Sequence, residues 1–319
     1  MIPRLDMRFS FHHQLAYWFG SEYKPRENEF LLNHARSGIV LALRACFQEG
    51  AKVGVITYNC HTVANAIISA KCTPVFLDID DNLKIDLQRG AGSICKNEEL
   101  DAIIVTNLFG IRNDISAIRN TFPNAILIVD NAHGYGLPTE GDFTVYSINQ
   151  GKYPALGPGG ILICCTPRSQ SAIESIIDKR LPITSLFGQI RIFGSMLVKS
   201  ILYKPWLYEK LTIKMKSRRA NYADHTPVVP MAMCPGVSRI YNAWVQNHKG
   251  MDVAKSFMNI IKTDEPEKVI QEYRNKGIEA DTHFKNCINW AKEFGYIEGT
   301  CPNSEILVTK LVMVPNYYL

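Results

Sequence analysis

The sequence predicts an α/β layer sandwich: a largely parallel central sheet with helices on both faces, followed by a small C-terminal α+β domain. Three observations carry this. Short apolar runs rich in β-branched residues recur between residues 53 and 164, as strands buried on both faces do. Segments of helical period lie between them, the alternation that joins parallel strands by crossover helices. At 319 residues the chain can hold one large domain and a second, smaller one.

Taken in order, residues 37–47 place Ile39, Val40, Leu43 and Cys46 at helical spacing, and Gly50 follows as a stop. Residues 53–57 form a β-rich run, 62–70 a helix, and Pro74-Val75-Phe76-Leu77 a strand ending in the acidic turn 78–81. Residues 102–106 and 125–129 read as buried strands with a short helix, 115–121, between them. Residues 143–147 and 160–164 complete the series. Ligands of such sheets gather at the carboxyl ends of the strands, where Asn107, Asp130 and Ser147 fall.

Residues 181–230 break the pattern, with Leu186, Phe187, Ile190, Phe193, Leu197 and Ile201 set among Arg191, Lys199, Lys204, Lys210, Lys214, Lys216, Arg218 and Arg219. This stretch reads as a basic, apolar-rich insertion in a large domain of residues 1–245. Residues 246–319 read as the small domain, with a helix at 267–276, another near 285–294, and a final apolar stretch ending at Pro315.

The formal net charge of +5 is mild, and no zinc-finger or RNA-binding motif is present, so no nucleic-acid partner is expected. Nine cysteines, an odd number and several in apolar runs, fit buried thiols in a reducing compartment better than disulfides. No CxxC pair suggests a structural zinc site, and no metal is expected. The N-terminus has no apolar core of a signal peptide, and no apolar run reaches spanning length. A cytoplasmic location is the expectation.

The sharpest constellation is Val129-Asp130-Asn131-Ala132-His133, followed by Tyr146-Ser147-Ile148-Asn149-Gln150-Gly151-Lys152 and then Gly157-Pro158-Gly159-Gly160. Alone, an aspartate at a strand end is a turn former and a lysine is a solvated charge. Together they supply what pyridoxal-phosphate chemistry needs: a carboxylate to pair with a protonated pyridine nitrogen, and an amine to join the cofactor's aldehyde.

Residues 30–165 resemble the DegT/DnrJ/EryC1/StrS family of sugar aminotransferases, within the fold type I pyridoxal-phosphate enzymes. Ser37-Gly38-Ile39-Val40-Leu41-Ala42-Leu43 is similar to the family's first cofactor-binding helix, and Thr73-Pro74-Val75-Phe76-Leu77-Asp78-Ile79-Asp80 to its TPVFVDID segment. Asn107-Leu108-Phe109-Gly110 stands where the family has a strand-end HLYG. Asp130 to His133 resembles its EDAAQ/H motif, and Ser147 to Lys152 its SFHPTK motif.

The resemblance implies that Lys152 carries the cofactor and moves protons, and that Asp130 pairs with its ring nitrogen. It puts His133 near the ring, Ser147 on the phosphate, and the backbone around Arg36 and Ser37 at a helix N-terminus suited to an anion. Thr282-His283-Phe284 resembles a substrate-side HY element, which puts His283, with Asn107, on the substrate side. Amino transfer from a donor such as glutamate to a nucleotide-linked keto-sugar follows, in a homodimer with pyridoxal 5′-phosphate as cofactor. Lys152 stands where related dehydratases carry a histidine, which favours transamination.

The chain departs from the family in three ways. Ala35-Arg36 replaces the usual Gly-Thr, the ring-stacking aromatic falls at Cys60 or His61, and the cross-subunit asparagine motif is not evident. These departures keep open a family member that has lost turnover and serves as a partner or scaffold. A weaker alternative reads Asp78-Ile79-Asp80 as the metal-binding DxD of a glycosyltransferase. Residues 186–219 allow peripheral contact with an anionic membrane, but packing of their apolar face on the large domain or a partner subunit is the favoured reading.

Overall fold

A computed structural model describes residues 1–3, 5–87, 99–177, 181–211, 222–252, 256 and 258–316. Its centre is a seven-stranded sheet. The strands are β1 (Glu29–Leu32), β2 (Lys52–Ile56), β3 (Thr73–Leu77), β4 (Ala102–Thr106), β5 (Ile126–Asp130), β6 (Phe143–Ser147) and β7 (Gly160–Cys164). Their order is β1-β7-β6-β5-β4-β2-β3. From β3 to β6 every pair is parallel, whereas β7 runs antiparallel to both β6 and β1. The sheet is therefore mostly parallel, as the apolar runs predict.

Burial on both faces explains why these strands lack polar alternation. Ala102, Ile104, Ile128, Val145 and Leu162 point into one core with helices α2 (Ala35–Cys46) and α3 (His61–Ser69). Their neighbours Ile103, Val105, Leu127 and Val129 point into a second core on the other face. Each buried aliphatic side chain contributes about 1.5–3 kcal/mol, so the sheet is the main store of stability.

The sequence reading begins at residue 37 and misses two elements. Helix α1 (Phe11–Phe19) is capped by the Ser10 hydroxyl on the His13 N–H, and β1 pairs along β7. Helix α1 packs with α8 (Pro235–Asn247) over a third core that contains Tyr17, Tyr146 and Ile161. Between β4 and β5 lie a 3-10 turn (Leu108–Gly110) and α4 (Ile115–Thr121), and α5 (Pro167–Ile176) follows β7. The insertion holds α6 (Leu186–Leu202) and α7 (Pro205–Leu211), while Lys214, Lys216, Arg218 and Arg219 lie outside the described residues.

After α8 come β8 (Met258–Lys262), α9 (Pro266–Asn275), β9 (Asp281–Thr282), α10 (Cys287–Glu293), α11 (Pro302–Leu307) and β10 (Leu311–Pro315). A second sheet, ordered β8-β10-β9, is built from them. Two clasps tie this C-terminal part to the rest. Ile2 makes a parallel bridge to Ile278, so the chain's first residues join the C-terminal part. Asp78 accepts hydrogen bonds from the N–H groups of Ile79, Asn303 and Ser304 and from the Ser304 hydroxyl, at 2.7–2.9 Å. Those bonds take up both carboxylate oxygens, so Asp78 of the DxD pattern is a structural anchor rather than an open metal ligand. Asp80 likewise caps the N–H groups of Asn82 and Lys84.

Candidate active site

The carboxyl ends of β1, β2, β4, β5 and β6 share one edge of the sheet, because those strands run in the same direction. Asp130 is the last residue of β5, in register with Thr106 of β4 and Val145 of β6. One carboxylate oxygen accepts from the Ala132 N–H at 3.0 Å. Burial pushes its pKa up, and the Ala132 bond and the nearby Lys152 ammonium pull it back.

Lys152 lies on the loop after β6. Gly151 turns the chain through φ +85°, a conformation that other residues adopt at a cost, and its N–H is held by the Asp6 carbonyl at 2.7 Å. The lysine keeps part of its surface open, but its amine is sunk deeply enough that desolvation lowers its pKa. Cys60 and Asp130 act in the opposite direction, which places both close to the amine. The structure thus brings near each other the two residues that the resemblance assigns to the cofactor.

His133 is buried, and its Nδ1 accepts the Phe109 N–H at 3.3 Å, which puts the ring proton on Nε2. Burial, then Lys152 and His283, hold its pKa well below the usual histidine range, so the ring is neutral. An aromatic wall surrounds it. Phe284 stacks on His133 at 5.9 Å, and Phe109 and His283 lie within 6 Å of it. His283 comes from the C-terminal part, and its carbonyl accepts the Tyr58 hydroxyl at 2.7 Å. Phe109 and Phe284 both have positive φ, 54° and 52°, a strain of the kind that collects at functional sites.

Helix α2 begins beside β7. A Cβ on Gly160 would lie 2.2 Å from the Ala35 nitrogen, so only glycine lets the helix end approach the strand this closely. His34, the N-cap residue, makes no side-chain cap, and burial lowers its pKa to about 4. Ser37 is fully buried. Its hydroxyl donates to Asn33 at 2.7 Å and its N–H to the His34 carbonyl at 3.1 Å. What this end offers an anion is therefore the first-turn backbone and Arg36 rather than the Ser37 side chain. Replacing Gly160 with Ala should displace the first turn of α2 and weaken cofactor binding at least tenfold, measured by equilibrium dialysis against pyridoxal phosphate, at a strain of about 1–3 kcal/mol.

Three further candidates are placed by their hydrogen bonds and packing. Asn107 is 1% exposed; its amide donates to Asn131 at 2.7 Å, and its oxygen accepts from the Asn113 N–H at 2.8 Å. These bonds clasp the ends of the strands on either side of the site. His61 packs edge-on against Trp290 at 4.7 Å, within the electrostatic reach of Arg36, Asp224 and Glu293. Of the two candidates for the ring-stacking position, Cys60 is the one beside Lys152. Ser147 is buried at the end of β6, its hydroxyl 3.5 Å from the Asn149 N–H. Tyr58 is not among the expected site residues, and Phe284 enters only as the last residue of Thr282-His283-Phe284; the signal for each is an aromatic next to a motif.

The donor set fits pyridoxal phosphate: a buried carboxylate within electrostatic reach of Lys152, an amine of lowered pKa, a neutral imidazole, and a helix start with Arg36 in its first turn. A cavity of about 970 Å³ lies at the opposite, amino end of the sheet, lined by Cys46, Asp101 and Arg168, and includes none of these groups.

Comparisons with known proteins point the same way. The model of the DegT/DnrJ/EryC1/StrS aminotransferase family matches residues 21–180. Among solved structures, the sugar aminotransferase CalS13 from Micromonospora echinospora aligns with a TM-score of 0.62 at 15% identity, covering 100% of this chain and 96% of that one. The sugar aminotransferase Spr1654 from Streptococcus pneumoniae, in its PMP form, gives 0.63 at 15% identity over 98% and 93%. Helicobacter pylori PseC, an aminotransferase involved in the biosynthesis of pseudoaminic acid, gives 0.61 at 13% over 98% and 92%. At these identities the likeness establishes the fold alone. The family match, which spans half of the sequence, establishes more: the chain belongs to the DegT/DnrJ/EryC1/StrS aminotransferase family.

Proposed function

We propose that this aminotransferase uses pyridoxal 5′-phosphate to move an amino group from glutamate to a keto-sugar carried on a nucleotide, for amino-sugar or surface-glycan synthesis, and that it works as a homodimer. One observation carries the reading: buried Asp130 and the desolvated amine of half-buried Lys152 meet at one strand edge, each shifting the other's pKa toward its charged form. The relatives' sugar substrates support the acceptor class, and the PLP and PMP forms of the streptococcal protein support the cofactor. A scaffold that had lost turnover would have no reason to keep this costly pair.

When bound, the cofactor supplies an electron-withdrawing ring that stabilises negative charge at the amine-bearing carbon. Asp130 would pair with the protonated ring nitrogen. Lys152 would hold the cofactor and act as the base that moves the proton, a role its lowered pKa favours because the neutral amine is the base. His133 would stand near the ring, the start of α2 with Arg36 and Ser147 would hold the phosphate, and His283 would lie on the substrate side.

The test is spectroscopic. Purified protein given pyridoxal phosphate should gain a visible absorption band, and glutamate alone should discharge it within one turnover. A protein that binds no cofactor would overturn the reading at its root. A band that glutamate leaves intact would overturn the donor.

A further inference from the structure

We propose that the outer face of α6, with Trp206 of α7, docks on an anionic lipid bilayer. Helix α6 is apolar on two sides. Its inner side meets α1 and the body of the domain: Phe193 packs against Phe9 at 5.3 Å and Trp18 at 5.5 Å, Met196 is buried, and the Ser200 hydroxyl accepts the Phe9 N–H. Its outer side carries Phe187, Ile190, Val198 and Ile201, which fall on one helical face and are 77%, 52%, 54% and 45% exposed. Trp206 is 69% exposed. Packing on the chain's own large domain therefore covers only the inner stripe, and a helix with two apolar stripes has two apolar neighbours.

Charge identifies the second neighbour. Residues 186–210 carry Arg191, Lys199, Lys204 and Lys210 against a single carboxylate, Glu209, which faces the chain's own amino terminus at 3.5 Å. A two-fold contact with a second copy would set these cations against the same cations, because such a contact matches a patch to itself. An anionic membrane surface attracts them, and an exposed tryptophan suits the boundary between headgroups and acyl chains. No helix among the described residues is long and apolar enough to cross a membrane, so α6 lies in the surface plane.

The experiment is co-sedimentation of the full chain with vesicles of phosphatidylcholine, alone or mixed with phosphatidylglycerol. Binding is expected only with phosphatidylglycerol. Replacing Phe187 and Ile201 with Ser should weaken it at least tenfold with unchanged circular-dichroism melting, since both side chains are exposed. Changing Arg191 and Lys199 to Gln should weaken it about fivefold per charge, since a basic residue near an anionic surface is worth about that factor. Trp206 fluorescence should shift to the blue on mixing, and the shift should vanish in Trp206→Phe. Equal binding to both vesicle types, no binding to either, or an apolar variant that binds normally overturns the proposal. So does a Phe187→Ser/Ile201→Ser protein that turns from dimer to monomer in light scattering, which would assign the face to a second copy.

Discussion

Lys152→Ala should bind pyridoxal phosphate without covalent attachment, and borohydride should trap no cofactor on the peptide that carries residue 152. Turnover should fall by a factor on the order of 10⁴ or more, because one change removes both the attachment point and the proton carrier. The fold should not suffer. The Lys152 pKa is lowered in the folded chain, chiefly by burial, so the buried ammonium is the unfavourable form. Above the ordinary lysine pKa, about 10.4, the amine is neutral in both states and carries no penalty; below the folded pKa the penalty is full. Stability from this group therefore rises with pH through the interval between the two values. The apo variant should melt at or above the wild-type temperature at neutral pH, with the difference closing in strong alkali. Equal turnover in variant and wild type would remove Lys152 from the mechanism. In the wild type, the rate of attachment plotted against pH should show its acid limb below the pKa of a free lysine, as the lowered value requires.

Much of this site can be read along the chain because its chemistry is local to strand ends. Asp130 and Lys152 stand at fixed offsets from apolar runs that become strands β5 and β6, and parallel pairing brings the two strand ends to one sheet edge, within electrostatic reach of each other. Periodicity marks the runs, and a carboxylate or an amine just past a run is visible in one dimension. What periodicity does not mark is pairing across long separations. Strand β1 has four residues and lies far in sequence from β7, so nothing near Glu29–Leu32 announces its partner. The aromatic wall has the same origin. Phe284 reaches His133 only because the C-terminal part is clasped by Asp78 and Ile2, contacts with sequence separations that no local pattern encodes.

The surroundings of Asn107 are not spelled out along the chain. A polar residue after a buried strand reads as a ligand. In the structure its amide donates to Asn131 and its oxygen accepts the Asn113 N–H, in a region where unpaired polar groups are costly. The choice between Cys60 and His61 was undecidable from spacing because adjacent residues at a helix start point in different directions. Helix α3 turns His61 toward Trp290 and leaves Cys60 near the lysine. Arg36 remains the chain's own departure from its family, within electrostatic reach of His61 and Asp224.

Asp130→Asn separates charge from shape. The amide oxygen can still accept from the Ala132 N–H, so the end of β5 keeps its form while the negative charge is lost. Turnover should fall roughly 10²–10³-fold, the scale seen when one preorganised electrostatic group is removed. Stability should move the other way. The Asp130 pKa is raised in the fold by burial, so the carboxylate destabilises the folded chain as pH rises through the interval from its unfolded value, about 3.9, to the folded one. The apo variant should thus equal or exceed wild-type melting at neutral pH and match it in acid. A second readout follows from the coupling. Asp130 helps hold Lys152 charged, so its loss should lower the Lys152 pKa further and move the acid limb of cofactor attachment to lower pH. Easier attachment together with slower turnover is the signature of a residue that tunes charge. A variant that lost turnover only in proportion to lost melting temperature would instead make Asp130 a strand cap.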